Sequence, residues 1–446
     1  MRGLWSTIVL LVVLLGLGGY IYFTGAKPAE TGAKEKLFAG LDADKVQELK
    51  VKAESGDVTT LKKDGGAWKI VAPVTAPASD ADAQGIANTL GTLEVDRVVE
   101  ENPTDLKDYG LAQPRIDIEF KSSDGKPSGH LRIGNKTVTG GNLYAMRNDD
   151  KKVVLIAEYQ QASLNKSTFD LRDKSLVKFE RDKVDGLDVT VDGKTTEMAK
   201  SNGDWRLVKP IAARADLSAV EGLVGKVEGA QMKSVVTAEP EPADLKKYGL
   251  DKPAVTVDVR LGTGRASLMI GGKAPDGSTY ARTNAKPDVY TIDSALADDL
   301  KKPADDYRRR DLFEFRAFTA TRVDITRNGQ TVSFERVKSD QKDQPDKWRR
   351  LAPTAGEPDR QKVQDFLAGL ADIRATSFVD AKTKTGLDSP AMTVVAKYDD
   401  GKKEEKVTFG KNGSDVYAAR TDDPGAAKIE PEKFDEAVKA LDELSK

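Results

Sequence analysis

The sequence predicts an α+β protein: an N-terminal transmembrane helix followed by three homologous modules, each an antiparallel sheet with packed helices. Three observations predict it. One pattern recurs around a tryptophan, as AWKIVAP at 67–73, DWRLVKP at 204–210 and KWRRLAP at 347–353. Each copy contains apolar–polar alternations of strand period and one stretch of helical period. The run 4–23, LWSTIVLLVVLLGLGGYIYF, carries no charge.

That run comes first. At about 1.5 Å per residue, 20 helical residues span about 30 Å, the thickness of a bilayer core. Trp5 at one end and Tyr20 and Tyr22 at the other suit the two interfaces. Its length exceeds a signal-peptide core, and Tyr-Ile-Tyr-Phe stands where a cleavage site needs small residues. The expectation is an uncleaved anchor, 1–23, in the inner membrane. The body is then expected in the periplasm or otherwise outside the cytoplasm, because large domains translocate largely regardless of flanking charge. The small, polar and charged segment 24–36 reads as a flexible tether.

The repeat is four blocks deep. Trp68, Trp205 and Trp348 are 137 and 143 residues apart, and each is followed five residues later by a proline: Pro73, Pro210, Pro353. A Gly-Leu-x-x-Pro block follows at Gly110, Gly249 and Gly386. Then come Ile133-Gly134, Ile270-Gly271 and Phe409-Gly410, and a Tyr with an Arg soon after: Tyr144/Arg147, Tyr280/Arg282, Tyr417/Arg420. Units this long are duplicated domains rather than solenoid turns. With starts at the apolar pairs Leu37-Phe38, Leu176-Val177 and Leu312-Phe313, the modules are 37–175, 176–311 and 312–446. Each is long enough to bury a core.

Within a module the elements follow in order. A strand opens it: Val46, Leu49 and Val51 with a slip in alternation, then Leu187, Val189 and Val191, then Val323 and Ile325. A charged turn such as Lys63-Asp64-Gly65-Gly66 leads into the Trp strand, making a hairpin. A helix follows, striped by Ile86, Leu90, Leu93 and Val98 in the first copy, by Val220, Leu223, Val224 and Val227 in the second, and by Val363, Phe366, Leu367 and Leu370 in the third. Asp80, Asp216 and Asp359 mark its entry, and Ser218 with Glu221 spells a capping box. A short second helix ends at Gly-Leu-x-x-Pro, where glycine enters the left-handed region and proline prevents continuation. The strands 116–120, 255–259 and 394–398 come next, and a helix closes each module, the last with Phe434, Val438 and Leu441 on one face.

Composition narrows the chemistry. There are 70 basic and 72 acidic residues, well mixed, so no nucleic-acid stripe stands out. No cysteine is present, which removes disulfides and thiolate chemistry. His130 is the only histidine and has no counterpart in the other copies; it reads as an ordinary edge residue. The tryptophans read as core, with a ligand-stacking platform as the competing role. The Tyr/Arg block has binding of an anion or a partner carboxylate as its competing role; the tyrosines read as core and their arginines as solvated edges, since Tyr-Ala-x-Arg in copies one and three and Tyr-Ala-Arg in copy two place the pair differently on a strand. Gly140-Gly141 and Gly271-Gly272 read as tight turns without a phosphate-binding context. No catalytic, metal or cofactor-binding residue is assigned, and no small-molecule substrate is expected.

Taken together, the Trp-x4-Pro, Gly-Leu-x-x-Pro and Ile-Gly blocks behind an N-terminal anchor resemble a bacterial family. It is a tandem domain of unknown function, numbered in the four-thousand-three-hundreds, found beside ABC-type transporters of the gliding-motility auxiliary class. Copy three departs from it with Thr385 where the others have Tyr109 and Tyr248. The resemblance implies a cell-envelope location and an accessory role, with no catalytic residues to carry over. The expected function is a membrane-anchored scaffold or binding protein with a protein partner in an envelope transport complex. Glycan or envelope-polymer binding is the first alternative, and a hydrolase the second.

Overall fold

The computed structural model describes residues 34–123, 129–148, 150–339, 344–380 and 382–445. The run 4–23 and the tether as far as residue 33 lie outside them. Among the described residues no helix is long and apolar enough to cross a membrane. The chain divides into two compact units, Met1–Lys174 and Ser175–Lys446. The first carries one antiparallel sheet and the second carries two.

The first sheet comprises β1 (Val46–Lys52), β2 (Val58–Asp64), β3 (Ala67–Ala72), β4 (Ala76–Pro77), β5 (Arg97–Glu100), β6 (Ile116–Ser122), β7 (Gly129–Lys136), β8 (Asn142–Arg147) and β9 (Val153–Ala157). Their order is β4-β3-β2-β1-β6-β7-β8-β9-β5. The second sheet repeats this order strand for strand, and the third repeats it without the short β4 edge. The slip in the first strand is a bulge between Val46 and Glu48, which brings Val46, Leu49 and Val51 all inward.

The module helices are Asp80–Thr92, Leu217–Glu228 and Arg360–Ala371. Their apolar stripes lie in the cores, with two corrections. Val98 is past the helix, on β5, and exposed. Ser218 lies inside the second helix, whose N-cap is Asp216, accepting from the Ala219 amide. A carboxylate at the cap accepts that amide bond and also faces the positive end of the helix dipole, so it displaces the serine. Asp359 caps the third helix in the same way, whereas Ser79 caps the first and frees Asp80 to accept from the Trp68 amide.

One boundary also differs. Glu35 and Lys36 already pair with Glu94–Val95, through Val95 N–H donating to Glu35 O and a bridge at Lys36/Glu94, so they belong to the first module rather than to the tether. Each module's first leucine then donates its amide to the segment just past the helix: Leu37 to Leu93, Leu176 to Ala230, Leu312 to Ile373. Among the described residues the short second helix exists only in the second module, as Pro242–Lys247, where proline at N1 and a Glu241/Asp244 capping box support it. Modules one and three have turns there.

The two glycine blocks of the repeat form one contact. Gly110, Gly249 and Gly386 all have φ near +68°, a conformation that costs glycine little. In the first two modules their amides and the next two close a turn, with Leu111 and Ala112 donating to Leu106 O, and Leu250 and Asp251 to Leu245 O. This turn lies on the strand that carries the second glycine. A Cβ on Gly134 would sit 2.0 Å from Tyr109 O, on Gly271 2.3 Å from Tyr248 O, and on Gly410 2.4 Å from Thr385 O. Gly271-Gly272 is therefore a site of close approach rather than a turn. In modules one and two the strand bulges here, and the freed amides of Asn135 and Gly272 donate to Tyr109 O and Tyr248 O at 2.8 Å. The third module has no bulge at this point, and Asn412 Nδ2 reaches Lys384 O instead.

Gly271→Ala should therefore destabilise the protein by about 2–3 kcal/mol, as overpacking against backbone does. Gly262→Ala, at a turn with open space around it, tests left-handed strain alone and should cost about 1 kcal/mol. Urea unfolding of both variants checks the difference.

Candidate functional site

The repeated tryptophans are buried at equivalent places in their sheets, with exposures of 2%, 3% and 3% for Trp68, Trp205 and Trp348. Each stands opposite a basic residue on the neighbouring strand: Lys63, Lys200 and Arg336. The two lysine ammonium groups lie 5.1 and 5.0 Å from the indole centroids, in cation–π range. Trp205 Nε1 donates to Glu221 Oε1 at 2.7 Å, the role that Glu221 takes instead of capping. The peptide bonds preceding Pro73, Pro210 and Pro353 are all cis. Buried indoles supply no stacking platform.

The tyrosines sit on the sheet face opposite the main core. Tyr144 packs edge-on against Tyr109, and Tyr280 packs tilted against Tyr248, in small clusters with Leu111 and Leu250. Tyr417 lacks such a ring because Thr385 replaces it, and it donates to Asp415. Arg420 is buried rather than a solvated edge, while Arg147 is half-buried. Arg147 donates to Leu37 O at 2.9 Å and Arg420 to Leu312 O at 2.6 Å, each strapping the first leucine of its module to the sheet. Register shows that Arg282 is not their equivalent: Leu131 faces Arg147 and Val407 faces Arg420, but Leu268 faces Thr283. His130 has a partner, Asp117, at 2.7 Å across the strands.

The richest polar cluster lies inside the second unit, where the second and third modules meet. Arg214, with 7% of its side chain exposed, reaches Asp423 at 3.4 Å and Glu314 at 3.3 Å and donates to Asp311 O. Arg420 pairs with Glu405, whose side chain is 1% exposed, and with Asp422. Glu405 also accepts from the Glu314 and Phe315 amides at 2.9 Å, so its oxygens are satisfied. Arg308 donates to Pro424 O and lies 3.6 Å over the Phe378 ring. Burial pushes Arg214 down, and the charge of Arg420 adds to that. Burial pushes Glu314 up, but Arg309, Arg214 and Arg420 outweigh it and hold its carboxyl below the usual range. Burial raises Tyr307, beside this junction, to about 12.

Of this cluster the sequence singles out only Arg420, and as a solvated edge. Glu405 left a signal: it continues the inward alternation of Val407 and Phe409, where an apolar residue belongs. Arg214 left none, since the repeat puts Pro77 at that register and the partner acids lie about 100 and 200 residues away.

A second feature lies in the first module. A cavity of about 490 Å³ is lined by Phe38, Gly40, Phe120, Gly129, Arg147 and Asp150, among others. Arg147 donates to Asp150 on its wall at 2.8 Å. Phe38 and Phe120 meet edge-on, with ring centroids 5.1 Å apart. Among the described residues no group of three or more His, Cys, Asp or Glu is placed to hold a metal ion.

Arg214→Met leaves Asp423 buried without its cation and should cost about 3 kcal/mol. Calorimetry should then resolve separate transitions for the second and third modules where the parent shows one. A lowered carboxyl in the folded state contributes stability that is present above the unfolded value and lost as pH falls through the folded one. The melting temperature of the second unit should thus hold from neutral pH to about 5 and fall below about 4. Glu314→Gln should flatten that fall, which a pH series of melts checks.

No curated protein matches the chain. A family model described as Domain of unknown function (DUF4340) matches residues 68–204 and 205–390. Its two segments open on Trp68 and Trp205, and the second runs on through Trp348 to the proline that ends the third Gly-Leu-x-x-Pro block. The matched segments cover most of the chain, which therefore belongs to this tandem family of a domain of unknown function.

Proposed function

We propose that this chain is a membrane-anchored envelope scaffold or binding protein, accessory to an ABC-type transport system. In this reading residues 4–23 hold it in the inner membrane, the modules stand outside the cytoplasm, and the partner is a protein. The observation that carries it is the buried ion network around Arg214, Glu314, Glu405 and Arg420. Removing one member of such a network leaves an uncompensated charge, so it holds two modules in a fixed relation. A rigid pair of modules suits presentation of surface to a partner. The positions shared by all three copies serve the fold: the buried indoles and the glycine contact.

The test is affinity purification of the tagged full chain from native membranes in mild detergent, followed by mass spectrometry. A transporter membrane subunit should copurify, and deletion of 4–23 should release the chain from membranes. Retention on isolated cell wall without any transporter subunit would favour polymer binding instead. Turnover of an envelope substrate that is abolished by His130→Ala would contradict the scaffold reading.

A further inference from the structure

The cavity of the first module and the buried carboxylate of the third occupy the same register of the same fold. In the first sheet Phe120 faces Gly129 and Leu131 faces Arg147. In the third, Ala396 faces Glu405 and Val407 faces Arg420. Gly129 thus stands where the third module has Glu405, two residues before the strand position that faces the strapping arginine. Both arginines hold the carbonyl of their module's first leucine, and both pair with an acid just downstream, Asp150 or Asp422.

The difference is the third acceptor. Arg420 carries Leu312 O, Asp422 and Glu405 together. Arg147 carries Leu37 O and Asp150, and beside it lies the cavity. In the third module two backbone amides of the opening segment complete the seat for the carboxylate. In the first, Ala39 and Gly40 of the opening segment line the cavity. The acids on the wall are already engaged: Asp150 by Arg147, and Asp42 by the Asp44 amide. The volume, about 490 Å³, exceeds a carboxylate and leaves room for apolar contact with Phe38 and Phe120.

We infer that this cavity receives, at Arg147, the side-chain carboxylate of a glutamate presented by a protein partner, as Arg420 holds Glu405 within the third module. The inference rests on the binding reading above and names its chemistry. A guanidinium is a charge-assisted carboxylate receptor, and the third module shows that one arginine of this fold holds two carboxylates and a carbonyl. The internal occupant is itself a glutamate on a strand, so a polypeptide is the matching source.

The test titrates the full chain in detergent with acetyl-Leu-Glu-Leu-amide and with its Gln counterpart. The Glu peptide should bind about tenfold or more tightly than the Gln peptide, the difference being the charge-assisted contact. Phe120→Ala with Gly129→Glu recreates the Ala396/Glu405 pair and should abolish peptide binding while the melting temperature holds or rises. The glutamate alone would not serve, since a Cβ at Gly129 lies 2.0 Å from the Phe120 ring. Should the double variant fail to fold, the guanidinium NMR signals of Arg147 in the parent protein decide, shifting with the Glu peptide and not with the Gln peptide. Equal binding of the two peptides, binding retained by the folded double variant, or unmoved Arg147 signals would overturn the inference. Free 4-methylpentanoate binding as tightly as the peptide would overturn the protein source. Copurification of a transporter subunit despite any of these failures would leave the scaffold reading intact.

Discussion

Each module is closed by a contact that only hydrogen atoms permit. A left-handed glycine ends one turn, and a second glycine on the adjoining strand lets that turn's carbonyl approach to a distance no Cβ allows. The two blocks are far apart in sequence, so the contact ties the connection after the helix to the middle of the sheet. Once it is made, the register of β6, β7 and β8 places inward the residues of the main core and outward the tyrosine pair. In modules one and two the bulge gives the freed amide a carbonyl, which satisfies a backbone group that would otherwise be stranded. In the third module the ladder stays continuous and a side-chain amide supplies a bond instead.

On that common frame the modules diverge through single positions. The strand position that is glycine in the first module is alanine in the second and glutamate in the third. The first leaves a cavity, and the third carries a buried carboxylate within the junction network. A buried ion pair is weak evidence for stability, because desolvation offsets much of the attraction. Its value here is specificity: Arg214 of the second module finds its carboxylates only when the third module is docked in one way.

Much of the fold was legible because the three copies corroborate one another. Strand alternation and the helix stripes with their caps survive in the structure nearly residue for residue. The errors share a cause: local sequence cannot see which partner wins. Ser218 has cap chemistry, but Asp216 sits at the cap and Glu221 is claimed by Trp205. Gly271-Gly272 has turn composition, but a carbonyl from another element requires it. Arg282 falls into the Tyr–Arg pattern by spacing, while register assigns the place to Thr283. The candidate sites were less legible still, because both arise from differences between copies, and a repeat-based reading attends to what the copies share.

The most direct test of the account is native-state hydrogen exchange, followed by NMR, of the amides of Asn135 and Gly272, which donate into the glycine contact. If that contact closes each module, these amides exchange only through the largest opening of their unit, among the slowest in the molecule. Protection there equal to that of the core strand amides of β1 and β6 is the result the account predicts. Exchange at these amides by local fraying, while the core strands remain protected, would contradict it.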